Sequence, residues 1–337
     1  MTVLIIFRNG YFVLFLVLLL LPAFCAPREQ QQYKQDERAC YIGTYGVFEV
    51  IDGDTFRIPG LDRRVRLLCI DTEEVPRGAN AAEEVARLRE QWPAPYWERL
   101  GKGRFPVRPP TPFGYETSQW AKDWFSDVDS IRLERESPEH VYGYFGRLLA
   151  YLFARKSGQW MHYNIECVRL GYSPYSMKYG FSERFHSEFE QAQNEARRAG
   201  RGIWNSDKQH LPQYDQRLAW WMQRGDAIRT LFKLRAREQE VYFIGRDGEY
   251  ERMSLAAGKT VLAFGSVGRL SRKGEIRTII LPHKKSIHVR VILPRDTDSG
   301  YIRMFEQQYL FFRGRVVLDG DELQIHPSSI RDISASP

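Results

Sequence analysis

Three carboxylates and a guanidinium gather in a short stretch of this chain: Asp54, Arg66, Asp71 and Glu74. They fall in Val50-Ile51-Asp52-Gly53-Asp54-Thr55 and in the run from Arg64 to Glu74. Carboxylates held close together repel unless a cation or a shared proton offsets the repulsion. A guanidinium beside them suits a phosphate, whose oxygens it can meet two at a time. Acid cluster plus arginine therefore points to metal-assisted chemistry on a phosphate. Other chemistries lack their residues. None of the seven histidines stands in an H-E-x-x-H pattern, and neither a G-x-S-x-G nor a Gly-rich phosphate loop occurs. No Cys/His spacing resembles a zinc site.

Paired strands must position this cluster. The alternation Val47, Ile51, then Val65, Leu67 predicts strands over about 44–58 and 63–71, with Pro59-Gly60-Leu61-Asp62 as the turn. Further on, the spacing predicts a helix over Ala81 to Gln91, then an aromatic and proline-rich loop (Trp92 to Trp97, Arg104 to Pro112) carrying several arginines. Beside an active site such a loop either grips substrate by stacking and charge or merely covers the barrel. Helices follow over Thr117 to Ser126, Trp160 to Leu170 and Ser182 to Ala199, and strands over Ser130 to Arg135 and Leu148 to Ala154. Gly171 and Gly200 read as helix stops. Phe185, Phe189, Ala192 and Ala196 mark a buried helix face.

These segments resemble the staphylococcal-nuclease-like (thermonuclease) family. Its I-D-G-D-T strand is matched by Ile51 to Thr55, its R-L-x-x-x-D-T-P-E strand by Arg66 to Glu74, and its Y-G-R-x-x-A-Y segment by Phe145 to Tyr151. The likeness runs on through Met161 to Asn164 and Val168 to Gly171, and ends at Gly200-Arg201-Gly202-Ile203-Trp204. It implies an α+β fold, mainly β: a five-stranded OB-type barrel capped by helices. It also implies hydrolysis of DNA and RNA phosphodiesters with calcium, leaving 3′-phosphate ends. Asp54 and Asp71 match the family's metal ligands, with the main-chain oxygen of Thr72 as a third. Glu74 matches the candidate general base; Arg66 and Arg147 match the two arginines on the scissile phosphate. Tyr179 falls where a tyrosine packs on the nucleotide. Met177 replaces a second tyrosine and is expected to cover a base in its stead.

Two positions depart from the pattern. Glu73 stands where the family has proline, which would loosen the turn and add charge beside the metal. Gly143 stands where an acidic residue commonly braces Arg147. These departures keep open a second reading, a nucleic-acid-binding or envelope scaffold protein that retains the fold without catalysis.

Residues 1–25 read as a signal peptide, with Arg8 before an apolar run and a small-residue site at Cys25-Ala26. An uncleaved membrane anchor and lipidation on Cys25, which bulky Phe24 argues against, are the alternatives; the expected location is secreted or periplasmic. Residues 26–43 read as a polar tether, 44–205 as the nuclease-like domain with an insertion at 76–112, 206–257 as a helical connector, and 258–337 as a second OB-like barrel of five strands. Leu218, Trp221, Met222, Leu231 and Leu234 set the connector's helical spacing. Arg269, Arg272, Lys273, Lys284 and Lys285 lie where a second barrel would meet a nucleic-acid strand. Net charge is +7 and the pI about 9.2, as handling a polyanion requires. Cys69 and Cys167 read as small buried hydrophobes, while Cys40 stays open to pairing.

Overall fold

In a computed structural model the described residues are 40–336, apart from 77, 79, 104, 139–141, 144, 238, 274, 285–286 and 296. The expected signal peptide and most of the tether lie outside them, as do Lys285 and the side chain of Lys273. Among the described residues no helix is long and apolar enough to cross a membrane.

The first sheet is built from β1 (Tyr41–Tyr45), β2 (Glu49–Asp52), β3 (Thr55–Arg57), β4 (Val65–Leu67), β5 (Ser130–Glu134), β6 (Leu148–Lys156) and β7 (Gln159–His162). Its path runs β1-β5-β6-β4-β3-β2, with β7 paired to β6. β1 and β2, neighbours in sequence, thus lie at opposite ends of that path, and β4 runs parallel to β6. This is the OB-fold order, with one interrupted first strand serving both edges. The strand expected over 44–58 is accordingly broken, because Gly53 and Asp54 form the tight turn between β2 and β3. Asp-Gly is a turn dipeptide before it is anything else.

Around this sheet pack α1 (Ala81–Gln91), α2 (Ala94–Lys102), α3 (Pro112–Trp124), α4 (Tyr163–Arg169) and α5 (His186–Arg198). α1 matches the predicted span. The loop expected at Trp92 to Trp97 is instead the start of α2, whose first turn tolerates Pro95 because its missing N–H has no helical partner there. α3 begins five residues earlier than the spacing suggested: Thr111 caps it by accepting from Gly114 N at 2.7 Å, with Pro112 in the first turn. The helix expected from Trp160 begins only at Tyr163, since residues 159–162 extend along β6 as β7. Gly171 ends α4 at φ +77°, and its backbone lies against that of Gly202; a Cβ on Gly202 would stand 2.0 Å from the Gly171 carbonyl oxygen. Only paired glycines permit that approach, which docks the 200–204 signature on the end of α4.

The core of this unit holds Phe56, Val65, Leu67, Ile131, Leu133, Ala150, Leu152, Tyr163 and Cys167. Among the described residues Cys69 and Cys167 are free thiols, Cys167 buried and Cys69 half-buried, and Cys40 is buried.

A second sheet comprises β8 (Val241–Phe243), β9 (Thr260–Ser266), β10 (Leu270–Lys273), β11 (Ile276–Lys284), β12 (Ile287–Ile292), β13 (Tyr309–Asp319), β14 (Glu322–His326) and β15 (Ile333–Ser334). Its path is β10-β11-β12-β14-β13-β9-β8, with β15 on β13. β9 and β10 straddle the five-strand path as β1 and β2 do in the first sheet, and β12 pairs parallel with β14. The short helix α8 (Ser299–Arg303) interrupts the third and fourth strands as expected. Strand β8 and helix α7 (Glu249–Ser254) fall in the stretch read as connector, and β8 pairs with β9, so this sheet starts earlier than expected.

The long helix α6 (Tyr214–Arg235) belongs to both sheets. Leu218 and Trp221 enter the first core; Ile228, Leu231 and Leu234 pack with Phe243, Phe264 and Phe311 of the second sheet. Met222 turns outward and is half exposed, against the helical spacing read from sequence. Each fully buried apolar side chain contributes roughly 1.5–3 kcal/mol, so α6 welds the two sheets together.

Candidate active site

The acidic turn is fixed from several sides. Buried Asn164 at the start of α4 donates to the Leu68 carbonyl at 2.8 Å and accepts from Leu152 N at 3.0 Å. Ser173 Oγ accepts from Asp71 N at 2.8 Å. Asp54 Oδ2 accepts from Thr72 N at 2.9 Å, which ties the β2–β3 turn to the acidic turn. Asp52 Oδ1 accepts from Asp54 N at 3.2 Å and so supports the same turn. Burial, then the nearby Asp54, push the Asp52 carboxyl up to about 6.

Arg66, on β4, faces Asp54 and Asp71. Its guanidinium pairs with Asp54 Oδ1 and with Asp71 Oδ1, the latter at 2.5 Å, and donates to the Ile70 carbonyl at 3.2 Å. Burial disfavours the charged form of Arg66, but Asp54 and Asp71 more than offset it and raise its pKa. Burial likewise works against the Asp71 carboxylate; Arg108 and Arg66 overcome it and hold that group well below the usual carboxylate range.

Arg108 was not singled out by sequence reasoning. It belongs to the insertion, whose arginines carried no position-specific signal. Its Nη2 lies 3.0 Å from Asp71 Oδ1, 3.1 Å from Glu74 Oε1 and 3.4 Å from the Thr72 carbonyl oxygen. Asp54, Asp71 and Thr72 are the oxygens that the resemblance assigns to calcium. All three already meet guanidinium nitrogens, and in this arrangement they do not fit a divalent ion. Among the described residues no group of three or more His, Cys, Asp or Glu is arranged to hold a metal.

Glu73 does not add charge to the site, contrary to the sequence reading. Its carboxylate turns away into the packing between insertion and α6. There it accepts from Leu211 N at 2.7 Å, from the Tyr214 hydroxyl at 2.6 Å and from the Thr111 hydroxyl. Burial pushes its carboxyl upward. These bonds, and Thr111 N donating to the Glu74 carbonyl at 3.1 Å, hold the turn without the family's proline. Gly114 is required just beyond: a Cβ there would stand 2.2 Å from the Glu74 carbonyl oxygen.

Arg147 immediately precedes β6, the strand paired with the β4 that carries Arg66, and lines the same cleft. Among the described residues it makes no ion pair; it lies 5.9 Å from the Phe145 ring centroid. Burial, and after it the neighbouring Arg66, lower its pKa. Gly143 N donates to the Arg147 carbonyl at 2.9 Å, and a Cβ at 143 would stand 3.2 Å from Leu149 Cδ2. A side chain at that position would press on the tip of Leu149, which would have to give by a few tenths of an ångström.

Asp54, Arg66, Asp71, Thr72, Glu74, Arg147 and Tyr179 all line one cleft of about 600 Å³. Met177 does not: it is buried in the first core, because the chain turns its side chain inward two residues before Tyr179. The base-covering role expected for Met177 is thereby excluded. Exposed Phe145, Tyr142 and Tyr179 stand around the arginines instead. The opposite wall comes from the second sheet and α6, through Arg224, Arg246, Gly268, His283 and Tyr309. Arg269, Arg272 and Lys284 are not in that wall, and Lys284 pairs with Asp247 at 3.3 Å.

Comparison with known proteins agrees with the fold of the first sheet. Residues 64–206 match the family described as staphylococcal nuclease homologues. The match takes in Arg66, Asp71, Thr72, Glu74, Arg147 and Tyr179, and starts after the Asp54 turn. An uncharacterized protein of Methanocaldococcus jannaschii is 27% identical over 165 residues, which covers 48% of this chain and 72% of that protein.

Proposed function

From a chain that carries a staphylococcal-nuclease-type domain, we infer a phosphodiesterase that hydrolyses single-stranded DNA and RNA with little sequence preference. The observation that carries the reading is the convergence of Arg66, Glu74 and Arg147 on one aromatic-rimmed cleft. The two guanidiniums bind the scissile phosphate and carry the charge that grows on its non-bridging oxygens. Glu74, the more exposed carboxylate of the cluster, orients a water and takes its proton as the water oxygen bonds to phosphorus. The bond from phosphorus to the leaving ester oxygen breaks, and that oxygen takes up a proton.

Exposed Phe145, Tyr142 and Tyr179 supply stacking faces that every base can use, whatever its identity. A base within a duplex is already stacked, and a cleft of about 600 Å³ is of small-ligand size. Both features favour a single strand. The resemblance implies calcium on Asp54, Asp71 and the Thr72 oxygen, but those groups meet Arg66 and Arg108 here, so no step of this reading is routed through a metal ion. Export belongs to the reading through the signal-like first 25 residues.

The test is digestion of single-stranded DNA, duplex DNA and RNA, with calcium added or chelated. Single strands should be cut faster than duplex. Glu74→Gln and Arg147→Ala should each lower kcat/KM by about 10²–10³-fold. Tight binding of single strands with no cleavage under any condition would replace this reading with that of a nucleic-acid-binding protein.

A further inference from the structure

We propose that Arg108 takes the place and the charge of the divalent cation in this site, so that the reaction proceeds without a metal ion. The inference rests on the phosphodiesterase reading and adds to it a third catalytic arginine, one supplied by the insertion.

The contacts of Arg108 are those of a cation ligand set. One guanidinium nitrogen reaches a carboxylate oxygen of Asp71, a carboxylate oxygen of Glu74 and the main-chain oxygen of Thr72. Arg66 meanwhile pairs with Asp54 Oδ1 and shares with Arg108 the same Asp71 Oδ1. The three acidic groups Asp54, Asp71 and Glu74 therefore confront Arg66, Arg108 and Arg147. A dication added to that set would meet two guanidiniums at close range, a repulsion that weakens its binding.

The insertion holds Arg108 there by design of its contacts. Buried Arg217 of α6 donates to the carbonyl of Val107, the preceding residue, at 2.9 Å. On the other side, Pro110 lies beside Glu74 in a parallel bridge, and Thr111 N donates to the Glu74 carbonyl. Arg108 is thus anchored on both flanks and is no free-swinging surface side chain. Arg108 lines the cleft, and N–H groups of its guanidinium other than those on Nη2 are left for a non-bridging phosphate oxygen, which a planar fork binds well.

The test begins with calorimetric titration of calcium chloride into the purified, chelator-treated protein. No binding is expected up to about 10 mM, above the range of weak extracellular calcium modules. Hydrolysis of a single-stranded oligonucleotide should run at the same rate, within about twofold, in calcium and in chelator. Arg108→Gln should lower the chelator rate by about 10²-fold or more. Arg108→Lys, which keeps a positive charge, should leave calcium unbound and lose less. One calcium bound per chain by the unaltered protein, or hydrolysis abolished by chelator and restored by calcium, would overturn the proposal. The calorimetric result decides it even in a chain that cleaves nothing, whereas absence of cleavage with and without calcium counts against the nuclease reading alone.

Discussion

Glu73 and Glu74 are adjacent in sequence and opposite in role, and their partners decide which is which. Glu74 opens onto the cleft beside Arg108. Glu73 is buried, and its oxygens gather two hydroxyls and one backbone N–H from two separate segments. It joins the acidic turn to the N-terminus of α3 and to the start of α6. Glu73→Ala would leave those three donors without an acceptor, each a desolvated group costing about 1–3 kcal/mol. The expected loss is about 3 kcal/mol or more in urea unfolding, with the site distorted as a consequence. Glu73→Gln retains an acceptor oxygen and removes the buried charge, so it should lose clearly less. Equal losses in the two variants would show that the hydrogen bonds at Glu73 do not hold the turn.

At the scale of elements, β7 ends in a histidine with an unusual setting. Both ring nitrogens of His162 are buried without a hydrogen-bond partner among the described residues, and the ring lies amid Tyr151, Phe153, Phe185 and Phe189. Burial, then Arg184, push its pKa from 6.5 down to about 3. The folded state thus prefers the neutral ring. Above pH 6.5 both states are neutral and no stability is lost; below it the unfolded chain takes up a proton that the fold refuses, and stability falls until about pH 3. His162→Phe removes this penalty and two unpaired polar atoms. Its thermal midpoint should therefore exceed that of the parent by more at pH 5 than at pH 8. A constant difference across that range would mean that the imidazole does not titrate in this window.

The same strand shows what the sequence could and could not disclose. Strong local signals survived: the alternation around Val65 and Leu67, the apolar face of α5, the glycines after α4 and α5. The residues assigned to phosphate and acid roles also meet in one cleft, because their motif spacing reflects a fixed strand pairing. Boundaries set by tertiary partners did not show. Residues 159–162 carry no strand pattern of their own, and they extend because β6 offers an edge. Trp92 to Trp97 looked like a loop because its prolines concealed a helix start. Arg108 and the buried face of Met177 depend on contacts with distant segments, which periodicity cannot register.

For the whole molecule the decisive feature is that the cleft has two owners. The wall that carries Arg66, Glu74 and Arg147 belongs to the first sheet and the opposite wall to the second. Arg224 of α6, 4% exposed, joins them: it donates to the Lys178 carbonyl at 3.0 Å, to Ser266 Oγ at 3.2 Å and to the Gln307 carbonyl. Its guanidinium also lies 4.1 Å from the Tyr309 ring centroid and 5.3 Å from that of Trp220. Lys178 immediately precedes Tyr179, so this one side chain fixes the stacking tyrosine of the first unit against the second sheet. Hydrogen bonds from a charged group contribute about 1.5–3 kcal/mol each, and Arg224→Ala forfeits three together. The apolar half of α6 still packs on each core, so both sheets should stay folded while the joint between them loosens. Calorimetry should then show the single cooperative transition of the parent broadening or dividing into two. On the phosphodiesterase reading this wall meets substrate away from the scissile phosphate, so KM for a short single strand should rise on the order of tenfold with kcat nearly unchanged. A fall in kcat at constant KM would instead place Arg224 in the chemistry itself, and an unchanged enzyme with one sharp transition would show that the apolar face of α6 alone holds the cleft closed.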